Sequence, residues 1–175
     1  MKKLPIGLSD FKELIQEEYY YIDKTNLISE VIDNSAKIVL LPRPRRFGKT
    51  LNLSMTKYFF DVEEDNETLF KGLNISKNQE AMAHCGKYPI IYITFKEVKE
   101  NNFELTFERI KQLVDKEISR HEKKIESILD RLDRMDRRHY ERLISDNGSE
   151  IDYKNSFKLL SKLLTLAYKK KCIIL

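Results

Sequence analysis

The chain has 175 residues, enough to bury one hydrophobic core. Its 41% apolar and 34% charged residues fit a soluble globular protein, and four prolines and five glycines exclude a low-complexity or linker chain. The net charge of +4 comes from interleaved acids and bases, which permits nucleic-acid contact without arguing for it, and no apolar run approaches the length of a membrane span.

The first residues, "MKKLPIGLSDFKEL", carry lysines but soon reach Asp10 and a polar helix, so a secretory signal is not expected. Cys85 and Cys172 lie far apart in mixed surroundings and read as reduced thiols, which predicts a cytoplasmic protein. Asp10, with Glu13 three residues on, predicts an N-capped helix with Phe11, Leu14 and Ile15 inward. "YYYID" reads as an extended piece, its tyrosines suited to packing or to stacking on a base. Asp23 is expected to cap a second helix with Leu27, Ile28, Val31 and Ile32 on one face.

The run "KIVLL" predicts a strand over 37–41. A basic loop follows, and then a helix over 50–60 whose apolar stripe is Leu51, Met55, Tyr58 and Phe59, widened by Leu53 and Phe60. "LFKGLNIS" (69–76) reads as a loop or edge strand, and 78–84 as one or two helical turns closed by Gly86. "YPIIYITF" (88–95) is continuous enough for a strand buried on both faces. Phe103, Phe107, Ile110, Val114 and Ile118 mark a long helix that continues through Ile125, Ile128, Leu132 and Met135. "DNGS" (146–149) is a turn. Phe157, Leu160, Leu164 and Ala167 mark a last helix, which ends in three lysines. "CIIL" then opens a third strand, read either as a short edge strand or as part of a longer protein.

The stretch Arg43 to Thr50 reads R-P-R-R-F-G-K-T. A phosphate loop of the form G-x-x-x-x-G-K-[ST] cradles phosphates with backbone N–H groups, reaches them with its lysine and binds Mg²⁺ through its hydroxyl. Here Arg43 stands where the first glycine would be. Leu41 and Arg43 each precede a proline, which favours extended backbone. Pro42 and Pro44 offer no N–H, but the amides of Arg45 to Thr50 remain. Two readings stay open on these residues alone: a nucleotide-phosphate loop, or a basic loop with a solvated lysine. A nucleic-acid module that uses Arg43, Arg45 and Arg46 on a phosphate backbone is a third, and a non-catalytic nucleotide-binding or interaction fragment a fourth.

"LLPRPRRFGKTLNLSMTKYFF" resembles the signature of the bacterial AAA-ATPase-like family, which carries R-P-R-R-F-G-K-[ST] as its Walker A variant. "YIDKT" (21–25), "LFKGLNIS" and "YPIIYITFKEVK" resemble further segments of that family, so the likeness covers nearly the whole chain. The resemblance implies an α/β P-loop NTPase domain with a parallel sheet flanked by helices, C-terminally incomplete here. Residues 1–36 would be a helical lead-in, 37–60 the Walker A strand, loop and helix, and 88–95 and 171–175 further core strands, all parallel. It implies ATP binding by Arg43, Pro44, Arg45, Arg46, Phe47, Gly48, Lys49 and Thr50, with Thr50 also ligating Mg²⁺. The family's "[LI]-I-D-E-Y-D" Walker B segment would follow "KKKCIIL", so no catalytic residue is identifiable in the chain, and hydrolysis would belong to the complete protein. A nuclease-like C-terminal region often follows in the family.

Other candidates have plainer readings. His84 and Cys85 lack a partner pair at zinc spacing. His121 and His139 are expected to be solvated. The arginines of 131–142 are balanced by Asp130, Asp133, Asp136 and Glu141, which predicts a salt-bridged face.

Overall fold

The computed structural model describes residues 2–34, 36–96 and 98–175, which form two compact units, 1–88 and 89–175. In the first, helix α1 (Phe11–Gln16) starts where Asp10 Oδ1 accepts the Glu13 N–H at 2.9 Å. The other oxygen of Asp10 accepts from the Tyr58 hydroxyl at 2.9 Å and from Ser54 Oγ at 3.2 Å. Tyr58 and Ser54 belong to helix α3 (Lys49–Phe60), so one carboxylate caps α1 and ties it to α3. The buried Phe11 N–H donates to Ser54 Oγ at 3.0 Å, which satisfies a helix-start donor that no carbonyl of α1 can reach.

Aromatic rings fill the space behind these bonds. Phe70 stacks on Phe11 (centroids 5.2 Å apart) and meets Phe59 edge-on at 5.1 Å. Phe70 sits in a 3-10 turn over Glu67–Phe70, and a second such turn, Asn74–Lys77, buries Ile75. Helix α2 (Asn26–Asp33) and a single helical turn, α4 (Gln79–Met82), capped by Asn78, pack against the second turn and against each other.

The second unit is built on a parallel pair of strands. Strand β1 (Ile90–Ile91) pairs with β2 (Ile173–Ile174) in the register Ile90↔Ile173 and Ile91↔Ile174. Further bonds run from Ile173 N to Pro89 O, Leu175 N to Ile91 O and Ile93 N to Leu175 O. Parallel strands need a long crossover. Here it is α5 (Phe103–Glu126), a 3-10 turn at Leu129–Arg131, α6 (Arg134–Ile144) and α7 (Glu150–Tyr168). Ile91, Val114, Ile118, Ile125, Leu160 and Leu164 share its buried core.

Several expectations are corrected. Residues 37–41 form no strand, and Ile38 and Leu40 are more than 80% exposed. An extended run becomes a strand only when a neighbour supplies a hydrogen-bond ladder, and none of the described residues does so here. Two of the three expected strands are therefore present and parallel. The second is also shorter than 88–95, with Thr94 and Phe95 exposed. The long charged helix is not continuous through Met135: it ends at Glu126, and α6 starts afresh where Asp133 caps the Met135 and Asp136 amides. Met135 and Phe103 then face solvent. Thr25, not Asp23, is the N-cap residue of α2.

The histidines are not solvated. His121 is buried, its Nε2 3.0 Å from Ile90 O, and His139 Nε2 lies 2.9 Å from Asp152 O. Their sequence neighbours are charged, but the helix face they occupy turns inward. The arginine-rich stretch does form ion pairs, Arg137 with Glu141 and Arg142 with Asp152 among them.

Asp152 joins α6 to α7. It accepts from Arg142 Nε and Nη2, and with Ser149 it closes a capping box at the start of α7. The Arg142 guanidinium holds this carboxyl well below the usual carboxylate range, and although burial opposes that, hydrogen bonds from Ser149 add to it. A depressed carboxylate contributes stability above its unfolded pKa and loses it as pH falls. Asp152→Asn should therefore be less stable than the parent at pH 7, with the difference closing as pH drops below about 4. Ser149→Ala should cost about 1 kcal/mol through the lost cap. Urea unfolding at a series of pH values checks both.

Candidate nucleotide-binding loop

The loop before α3 is shaped by two left-handed residues. Arg46 has φ +69° and Gly48 φ +73°, whereas Arg43 is not among the positive-φ residues. The missing first glycine thus brings no backbone strain at position 43. The strain falls on Arg46, a residue with a Cβ in a conformation that costs about 1–2 kcal/mol. At Gly48 an added Cβ would meet nothing closer than Lys24 Nζ at 3.9 Å, so glycine serves there for its φ rather than for space.

After Gly48 the chain enters α3 at Lys49 and Thr50. The Lys49 side chain folds back over the loop, and its ammonium donates to Arg43 O at 2.5 Å and Pro44 O at 2.9 Å. The Lys49 cation is therefore held at the mouth of a loop whose helix-start amides carry partial positive charge. The Thr50 hydroxyl makes no hydrogen bond among the described residues, nor do Arg43, Arg45 and Arg46 make ion pairs among them. Thr50 and all of 43–47 are exposed. Gly48, Lys49 and Thr50 are brought together at the helix start. Arg43 and Pro44 present carbonyls to Lys49, and Phe47 joins the wall of the neighbouring cleft.

The segment 21–25 is fixed beside the loop by its own bonds. Asp23 Oδ1 accepts from the Thr25 N–H and hydroxyl at 2.9 and 2.7 Å, and Oδ2 accepts from the Asn74 N–H at 2.6 Å. Burial pushes the Asp23 carboxyl up, but the Thr25 and Asn74 bonds and the Lys77 charge together hold it below the ordinary value. Thr25, fully buried, also accepts from the Ile75 N–H at 3.0 Å. Tyr21 packs edge-on against Phe11, and its hydroxyl lies 3.3 Å from Met55 Sδ in α3. Tyr21 is thus a packing residue. Lys24 stands between these fixed points, exposed, with its ammonium beside Gly48.

Loop and segment share an open cleft of about 600 Å³. Its polar lining includes Lys24, Arg43, Lys49 and Asn52, and its apolar wall Leu27, Leu41, Phe47 and Leu53. Glu30 is the acidic residue on that lining. Among the described residues no three His, Cys, Asp or Glu side chains are grouped to hold a metal. Lys24, Asn52 and Glu30 were not legible as site residues, since only folding brings α2 and α3 to one cleft. For Lys24 the signal was its place inside "YIDKT".

A mixed helical protein with a short parallel strand pair, and a basic Gly-Lys-Thr loop at a helix start, is the class these features define. Residues 5–175 match the profile of the AAA-ATPase-like family, described as "Predicted AAA-ATPase", and the chain belongs to that family. A stretch of 95 residues, 54% of the chain, is 36% identical to an "Uncharacterized protein in vnfD 5'region" of Azotobacter chroococcum mcd 1. That match covers 17% of the relative's length. No solved structure matches. Among the described residues no helix is long and apolar enough to cross a membrane.

Three substitutions test the geometry of the loop and its neighbour. Arg46→Gly should stabilise by about 0.5–1 kcal/mol, the left-handed penalty less the entropy that glycine adds to the unfolded chain. Arg43→Gly should give no gain. Thr25→Val, which strands the buried Ile75 N–H, should cost about 1–3 kcal/mol. Denaturant midpoints report all three.

Proposed function

We propose that the chain binds Mg-ATP through residues 43–50, and that the complete protein couples this binding to ATP hydrolysis. Membership of a family described as a predicted ATPase supports the reading. The observation that carries it is Lys49, folded over the loop at the start of α3 with its ammonium on the Arg43 and Pro44 carbonyls. Lys49 is exposed, yet its ammonium is held on the loop's own carbonyls rather than extended into solvent.

The residues present suit the group. Lys49 and the amides from Arg45 to Thr50 would hold the phosphates, with Arg43, Arg45 and Arg46 adding positive charge at the rim. Thr50, whose hydroxyl makes no hydrogen bond among the described residues, would ligate Mg²⁺. Such sites bind this metal through a few protein oxygens together with the phosphates, not through an all-protein cage. When bound, the metal neutralises phosphate charge. The apolar wall formed by Leu27, Leu41, Phe47 and Leu53 suits a nucleobase, which a site for inorganic phosphate would not need. In this reading residues 1–175 are the N-terminal part of a P-loop NTPase domain.

Mg-ATP should protect the chain against unfolding by mass action, by about 2.7 kcal/mol at a hundredfold excess over Kd. Lys49→Ala should remove most of that protection. Thermal unfolding of both proteins with and without Mg-ATP is the measurement, and equal shifts in the two would end the nucleotide reading. No response to ATP, with salt-sensitive binding of duplex DNA, would instead assign Arg43, Arg45 and Arg46 to a nucleic-acid backbone.

A further inference from the structure

We infer that Lys24 is a second phosphate-binding cation of the nucleotide site, presented to the loop from outside it by the Tyr21–Thr25 segment. The inference rests on the nucleotide reading above and names a residue that the loop pattern does not contain.

Three observations carry it. The Lys24 ammonium lies 3.9 Å from where a Cβ on Gly48 would stand, so it is beside the residue that turns the chain into α3. It lines the same cleft as Lys49 and Arg43. It also makes no ion pair among the described residues. Lys24, Lys49 and Arg43 thus line one cleft, where a bound anion would be attracted to all three.

The backbone of Lys24 is held firmly although its side chain is exposed. The Lys24 N–H donates to the Tyr21 hydroxyl at 3.2 Å. On either side, Asp23 and Thr25 are bonded to Asn74 and Ile75, about fifty residues away in sequence. A flexible four-carbon stem thus starts from a fixed point and ends beside the phosphate-binding amides. Solvation of the basic surface alone would need no such anchoring. Glu30 lies on the same lining but makes no ion pair with Lys24, so the ammonium stays available to a ligand.

The test is Mg-ATP affinity of the 175-residue chain by calorimetry, at low and at high salt, for wild type, Lys24→Gln, Lys24→Arg and Lys49→Ala. Lys24→Gln should bind about 5- to 20-fold more weakly than wild type at low salt, the range expected for losing one exposed charge-assisted contact. The gap should narrow at high salt because the site is open to screening. Lys24→Arg should recover most of the loss. Since Lys24 is exposed, Lys24→Gln and Lys24→Arg should unfold at the wild-type midpoint without nucleotide. Wild-type affinity in Lys24→Gln, while Lys49→Ala is impaired, would overturn the inference and leave the nucleotide reading standing. A loss that salt does not change, or that arginine does not rescue, would overturn it as well by showing a structural role. No ATP binding by wild type would overturn both.

Discussion

Residues 1–88 depend on the point at which α3 begins. The chain reaches that point by turning left-handed at Gly48, a conformation that costs other L-residues about 1–2 kcal/mol. The start position sets the phase of the whole helix. One residue earlier or later would rotate every side chain by about 100°, which would remove Ser54 from Phe11, Tyr58 from Asp10, and Met55 from Tyr21. Phe59 would leave Phe70 as well. The same turn therefore fixes both the hydrophobic contacts of α3 and the place where Lys49 and Thr50 emerge.

Function and fold are coupled through that helix. Its first turn carries the residues proposed to meet phosphate, and its later turns are locked into the aromatic cluster. Tyr21 reaches α3 on one side, while Asp23 and Thr25 reach the 3-10 turn at Asn74–Lys77 on the other. The segment beside the loop is consequently held by two separate parts of the unit. A binding group needs this kind of support, because a displacement of about 1 Å weakens a charge-assisted contact that a rigid frame would keep.

Helices were the most legible part of the sequence, because their signals are local. Asp10 capping α1, the stripe of α7 and the Gly-Lys-Thr start of α3 all rest on residues within a turn or two of each other. Strands were less legible, because the β-branched run 37–41 has the composition of a strand but no ladder among the described residues. The break at Ser127–Asp133 was hidden by an apolar spacing that continues across it, and only the capping carboxylate of Asp133 marks the restart. His121 and His139 were misread from charged neighbours in sequence, because adjacent residues of a helix point to different faces. Of the candidate site, the loop could be read directly. The cleft could not, since Leu27, Glu30 and Asn52 join it only through packing.

The exposed run Ile38–Leu41 has a consequence for how copies of this chain meet. Uncharged, apolar and exposed, it is the kind of segment that templates strand addition between molecules. Its borders oppose this. Pro42 and Pro44 withhold the amides that would lengthen a ladder past Leu41, and Lys37, Arg43, Arg45 and Arg46 place like charges at both ends of any paired copy. The prolines and arginines that shape the loop thus also act as gatekeepers, keeping an exposed apolar run from pairing with its own twin.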